Sequence, residues 1–162
     1  MKAVINLLRE KIVIQPVIQP MTKTDIAEVR RLESEANLAA WSKAGYESEL
    51  NNPDSICLVA KFEKKIVGFI ISRLIMTDNY CEVYNIGVDS KFKRRKIGSK
   101  LLINLHKICI SNSLKEIQLE VRESNKIAIE FYEKFGYKFS YIRKEFYSNP
   151  CENAIVMINN LK

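Results

Sequence analysis

The segment from Cys81 to Ile108 limits the architecture more than any other part of this chain. Cys81 to Val88 is apolar and short enough to read as a strand. The run Lys91-Phe92-Lys93-Arg94-Arg95-Lys96 is densely cationic, and behind it Leu101, Leu102, Leu105 and Ile108 fall on one helical face. A strand, a cationic loop and a helix N-terminus in that order form an anion cradle, because free N–H groups and the helix dipole both attract negative charge. Gly98 lets a ligand approach the backbone closely. Alone, a basic run is equally a solvated loop. The flanking strand and helix favour a phosphate site at Lys93-Arg94-Arg95-Lys96-Ile97-Gly98-Ser99.

The rest of the chain supplies a mixed sheet. Val13–Ile18 is β-branched and broken by Pro16, which suits an edge strand. Thr22 with Asp25 forms a capping-box pattern, and the helix behind it sets Ile26, Val29, Leu32 and Ala36 on one face. A second short helix starts at Trp41-Ser42 and ends near Pro53. Strands follow at 56–62, 66–76 and 81–88, then the amphipathic helix, then the alternating strand Ile117, Leu119, Val121. A further helix carries Ile127, Ile129, Phe131 and Tyr132 and stops at Phe135-Gly136, before strands at 137–146 and 154–158. The order β-α-α-β-β-β-α-β-α-β-β mixes hairpins with one parallel crossover, from strand 81–88 to strand 117–121. The expected fold class is therefore α/β, in the form of an α+β mixed sheet. Residues 11–162 are expected to form one domain behind an extension at 1–10.

The 162 residues suffice for one ordinary domain, and 47% apolar with 28% charged content excludes a disordered tail. A membrane span needs about 20 apolar residues, and no run approaches that. Glu10 and Lys11 interrupt any signal-like region, so a cytoplasmic protein is expected. Cys57, Cys81, Cys109 and Cys151 form no C-x-x-C pair and His106 is the single histidine, so zinc-site spacing is absent. The cysteines read as small core residues in a reducing compartment. The formal charge of +7 points to solubility or to an anionic partner. Nucleic acid would want cations and stacking aromatics across a whole face, which nothing else in the chain demands.

Two blocks carry a family resemblance. Asn85-Ile86-Gly87-Val88-Asp89 with Phe92-Lys93-Arg94-Arg95-Lys96-Ile97-Gly98 resembles motif A of the GNAT acetyltransferases, an aromatic residue followed by Q/R-x-x-G-x-G/A. Lys93 fills the first slot and Gly98 the last, while Lys96 replaces the first glycine. Leu119-Glu120-Val121-Arg122-Glu123-Ser124-Asn125 with Ala128 to Tyr137 resembles motif B, and more narrowly the RimI-type protein N-terminal acetyltransferases. Ile142-Arg143-Lys144-Glu145-Phe146-Tyr147 and Ala154-Ile155-Val156-Met157 are similar to the ending of those enzymes, with Phe146 in place of their first tyrosine. Trp41-Ser42 is similar to their W-S. The likeness runs from about Gln19 to Met157.

The resemblance implies the acyl-CoA N-acyltransferase fold and acetyl-CoA as cosubstrate. It implies phosphate contacts along Lys93–Ser99, backbone contacts from Ile86, Gly87 and Val88, and a cofactor contact from Asn125. Gly87 also reads locally as a bulge or a close approach. The acceptor is an amine that must be neutral to attack, and an α-amine, with a pKa of about 8, is close to that state. By resemblance Glu120 takes its proton, directly or through a water, and Tyr132 protonates the leaving thiolate. Trp41, Tyr84 and Tyr147 would contact the acceptor, a protein or peptide N-terminus such as that of a ribosomal protein. Read locally, Glu120 is the polar face of a strand, Tyr132 a core aromatic, Asn125 an N-cap and Trp41 a packing residue. Transfer to a small amine or lysine side chain is the alternative within the fold. A non-catalytic binding module for RNA or protein is the alternative outside it.

Overall fold

The computed structural model describes residues 15–36, 38 and 40–162. Seven strands form one sheet: β1 (Val17–Pro20), β2 (Ser55–Phe62), β3 (Lys65–Ile75), β4 (Tyr80–Val88), β5 (Glu116–Arg122), β6 (Lys138–Ser148) and β7 (Cys151–Asn160). The helices are α1 (Ile26–Glu35), α2 (Lys43–Asn51), α3 (Ile97–Ser111) and α4 (Lys126–Lys134). The strand order is β1-β2-β3-β4-β5-β7-β6, antiparallel throughout except for the parallel β4–β5 pair. This is the element order read from the sequence, crossover included. β1 is an edge strand but begins at Val17, just past Pro16, which has no N–H to give a ladder. Val13 and Ile14 lie outside the described residues, as does the 1–10 segment. The β6–β7 hairpin is longer than the periodicity indicates, with its turn at Asn149–Pro150.

Each face of the sheet carries its own core. On one face α3 lays down Ile97, Leu101, Leu102, Leu105 and Cys109, spaced three to four apart, beside Tyr132 of α4 and Val67, Ile70, Leu119 and Val121 of the strands. Each buried leucine there contributes about 2 kcal/mol by leaving water. On the other face α1 and α2 pack Ile26, Val29, Leu32 and Tyr46 over Val59, Phe69 and Ile71. The fourth buried position of α1 is Glu33; Ala36, expected on that face, is exposed. Cys57, Cys81 and Cys109 are buried as expected, whereas Cys151 sits exposed at the hairpin turn.

Two irregularities of β4 position the site. Ile71 pairs with Asn85 but Ser72 pairs with Val83, so Tyr84 is an extra residue, a β-bulge. The bulge reverses the side-chain alternation. Cys81 and Val83 pack toward α3 and α4, as do Ile86 and Val88 beyond it, while Tyr84 packs toward α1 and α2. The second irregularity lies on the other edge of the strand. Pairing of β4 with β5 runs from Tyr80–Glu116 to Val83–Leu119 and stops there, although both strands continue. Beyond the bulge the two strands part and the sheet opens.

Candidate active site

The opening is a cleft of about 400 Å³. Trp41, Tyr84, Ile86, Glu120, Asn125, Tyr132 and Tyr147 all line it. Seven residues chosen from the sequence, from six separate stretches of chain, thus meet in one place. Its two walls belong to different faces of the sheet. Tyr132 sits in the α3/α4 core, whereas Trp41 and Tyr84 pack on the α1/α2 core. The cleft therefore connects one side of the sheet to the other where the β4–β5 ladder ends.

Tyr132 is held between Phe131 and Tyr137, with ring centroids 5.3 and 5.7 Å away. Burial, and then the neighbouring Tyr147, hold its phenol above the ordinary tyrosine value, so it keeps its proton at neutral pH. Its hydroxyl has no hydrogen-bond partner among the described residues. Glu120 accepts a 2.7 Å hydrogen bond from Arg143 of β6. Glu82 of β4 stands near it, raised above the usual carboxylate range by burial and then by the Glu120 charge. The Tyr84 phenol is pushed up to about 12 by burial and then by Glu82, and Tyr147 is pushed up to about 12 by burial and then by Glu120. Asn125 caps α4, its side-chain oxygen accepting the Ala128 N–H at 3.2 Å.

The second cluster lies at the α3 N-terminus. Asp89 ends β4 and fixes the loop, accepting the Lys91 N–H at 2.9 Å and the Lys65 ammonium at 2.9 Å. Burial alone would raise the Asp89 pKa, but these two donors outweigh it and hold the carboxyl below its ordinary value. Phe92 anchors the turn between Phe62, 6.0 Å away by centroid, and the Arg95 guanidinium, 5.4 Å above its ring. Lys93, Arg94, Arg95 and Lys96 are exposed, and none forms an ion pair within the described residues. No side chain among the described residues caps α3, so its first N–H groups remain available there.

Lys96 occupies the left-handed region at φ 59° and ψ 20°, the conformation a glycine takes readily. A lysine there costs about 1 kcal/mol relative to glycine. The backbone at this position is thus one that a glycine, the residue Lys96 replaces in the motif, would adopt without strain. Gly87 meets the close-approach reading, because a Cβ there would lie 2.6 Å from the Phe69 ring. The bulge itself falls at Tyr84. Gly98 is not required by the protein's own packing: an added Cβ would meet Phe131 at an ordinary 3.5 Å.

Three residues not singled out in the sequence organise the cleft. Arg122 donates to the Asn149 and Pro150 carbonyls at 3.0 and 3.2 Å and to Glu152 at 3.1 Å. Its guanidinium also stacks 4.1 Å from the Tyr147 ring. It ties the β6–β7 hairpin to β5 and sets Tyr147 at the cleft. Arg143 engages Glu120, and Glu33 holds the Trp41 backbone at 3.0 Å. Arg122 and Arg143 stand inside matched motifs but carry no local signal, since their partners lie 20 or more positions away. Phe146, in the slot of the missing tyrosine, is stacked under Arg143 at 4.3 Å.

The chain is similar to known proteins in sequence and in fold. The model of the acetyltransferase (GNAT) family matches residues 26–137. The [ribosomal protein bS18]-alanine N-acetyltransferase of Haemophilus ducreyi is 30% identical over 146 residues, 87% of this chain and 97% of that one. The crystal structure of the ribosomal-protein-S18-alanine N-acetyltransferase from Escherichia coli superposes with a TM-score of 0.82 at 25% identity, over 91% of this chain and 95% of that one. Arabidopsis thaliana NAA60 in complex with acetyl-CoA shares the fold, with a TM-score of 0.82 at 12% identity over 91% and 99% of the two chains.

The chain belongs to the acetyltransferase (GNAT) family and is an N-acetyltransferase that uses acetyl-CoA. The α3 N-terminus, uncapped among the described residues, and the cations beside it that form no ion pair among those residues fit the phosphates of that cosubstrate. Among the described residues no helix is long and apolar enough to cross a membrane.

Proposed function

We propose that this enzyme acetylates the α-amino group of a protein or peptide N-terminus, by direct transfer within a ternary complex. The observation that carries the reading is the cleft through the sheet, with Glu120 and Tyr132 on its walls. Acetyl-CoA brings a thioester, an acyl group already activated toward an amine. The cationic loop Lys93–Ser99 and the first turn of α3 hold its phosphates, Asn125 contributes a further contact, and the backbone along Ile86, Gly87 and Val88 lines its path. Along this stretch N–H groups alternate between the β3 ladder and the edge that β5 has left, and those of Ile86 and Val88 face the open edge, available to a developing oxyanion.

The amine approaches from the α1/α2 side, between Trp41, Tyr84 and Tyr147. Glu120 takes the ammonium proton, directly or through one water, leaving a neutral nucleophile. Tyr132 supplies a proton to the sulfur as the carbon–sulfur bond breaks. Its phenol, held above the ordinary value, carries the proton at neutral pH that this step transfers. An α-amine suits this site better than a lysine amine, which would need a stronger pKa depression. The relatives' names give the chemical expectation for the acceptor: an N-terminal alanine of a ribosomal protein. Residues 11–162 act as one catalytic domain, in the cytoplasm.

The test is transfer from labelled acetyl-CoA to peptides varied at their first two positions, with free lysine and spermidine alongside. Peptides with a free N-terminal alanine should be acetylated, and N-blocked copies should not. Transfer to free lysine or spermidine in preference to every peptide would overturn the acceptor assignment. No transfer to any amine, with no acetyl-CoA binding by calorimetry, would overturn the enzymatic reading.

A further inference from the structure

Glu33 is 1% exposed and has no cationic partner within salt-bridge distance among the described residues. Burying a carboxylate in that way is costly unless hydrogen bonds compensate. Three do. Its Oε1 accepts from the Asn85 side-chain amide at 2.7 Å and from the Tyr46 hydroxyl at 3.0 Å, and its Oε2 accepts the Trp41 backbone N–H at 3.0 Å. The donors come from β4 next to the bulge, from α2 and from the α1–α2 connection. One turn earlier, Arg30 donates to the Trp41 carbonyl at 3.1 Å. Helix α1 therefore grips the Trp41 residue by both its N–H and its C=O. The Trp41 ring in turn rests against Tyr46 and Tyr84, at centroid distances of 5.5 and 5.6 Å.

We propose that Glu33 is a positioning residue for the acceptor: it fixes the Trp41 wall of the cleft relative to the bulged edge of β4. The proposal rests on the α-amine reading above. Only a carboxylate has acceptors on both arms. Asn85 and Tyr46 occupy one oxygen and Trp41 the other, so a glutamine must face one of these donors with its own NH₂. Glutamine keeps the volume of the site and loses the connection between loop and strand. Asn85 immediately precedes Ile86, so the connection reaches from the acceptor's wall to the backbone that receives the acetyl group.

Trp41 is the single tryptophan of the chain, which makes its fluorescence a direct report on the wall. In Glu33→Gln its emission should move to longer wavelength and acrylamide should quench it more steeply. The acceptor KM should rise about tenfold, the scale of one buried hydrogen bond left unmade, with the acetyl-CoA KM within about twofold of wild type. Arg30→Ala, which removes only the exposed half of the grip, should move both readouts in the same direction by less; it carries the test if Glu33→Gln does not fold. Val29→Ala, which trims the apolar face of the same helix, should lower thermal stability and leave the acceptor KM unchanged.

Unchanged fluorescence, an unchanged acceptor KM, or an equal KM rise in Val29→Ala would each overturn the proposal. If the wild type acetylates no amine, the functional reading fails, and Trp41 fluorescence alone then decides whether Glu33 holds the wall.

Discussion

The two ends of the site are built in opposite ways. The proposed phosphate loop is a contiguous stretch, Lys93–Ser99, held by neighbours just ahead of it, Asp89 and Phe92, and by a backbone that includes left-handed Arg94 and Lys96. The proposed acceptor wall is assembled from the Trp41 connection, the β4 bulge, β5 and the β6–β7 hairpin, held by Glu33, Arg122 and Arg143. A contiguous loop can tolerate loss of one side chain because its backbone donors remain. An assembled wall fails when one long-range bond is cut. Changes in the loop should therefore act on acetyl-CoA affinity, and changes in the cleft on turnover or acceptor binding.

The largest effect is expected at Tyr132. Tyr132→Phe should lower kcat by about 100-fold while calorimetry shows acetyl-CoA affinity within about twofold of wild type. Because its phenol is held above the ordinary value, wild-type activity should show no alkaline limb from Tyr132 below about pH 10. An unchanged kcat would remove Tyr132 from the chemistry. At the loop, Lys93→Ala with Arg95→Ala should raise the acetyl-CoA KM about tenfold, by loss of charge-assisted contacts, with kcat preserved. A fall in kcat at constant KM would erase the distinction between the two regions.

Smaller effects concern how the loop is held. Asp89→Asn should cost about 1–2 kcal/mol of stability at pH 7, measured by urea unfolding. The sign with pH follows from the depressed carboxyl. The Asp89 contribution is complete well above the reference value of 3.8 and is lost as pH falls through the lower folded-state pKa. The gap between variant and wild type should close below that range; a gap that stays constant into acid would contradict the ion-pair account. Smallest is Lys96→Gly, which should raise stability by about 0.5 kcal/mol by relieving the left-handed lysine, with little change in acetyl-CoA KM. A destabilised variant would show that the Lys96 side chain contributes contacts of its own.

The same contrast explains what could be read from the sequence. Periodicity and turn residues encode local structure, so the element order, the parallel crossover and the cationic loop at a helix start were all legible. The bulge at Tyr84 was not, because apolar residues continue on both sides of it and only pairing with β3 exposes the extra residue. Nor was Glu33, where the helical pattern pointed to Ala36; the Glu33 bond to Asn85 spans 52 positions. Glu120, Tyr132 and Tyr147 were found through motif likeness, since nothing local distinguishes them from a strand carboxylate and packing aromatics. Their meeting in one cleft depends on β4 and β5 separating past Val83 and Leu119, a property of the sheet as a whole.

Initial rates with acetyl-CoA and an alanine-initiated peptide both varied distinguish direct transfer across that cleft from transfer through an acetylated enzyme. A ternary complex gives intersecting double-reciprocal lines and no exchange of label between acetyl-CoA and free coenzyme A when the peptide is absent. Parallel lines, with exchange in the absence of peptide, would contradict it.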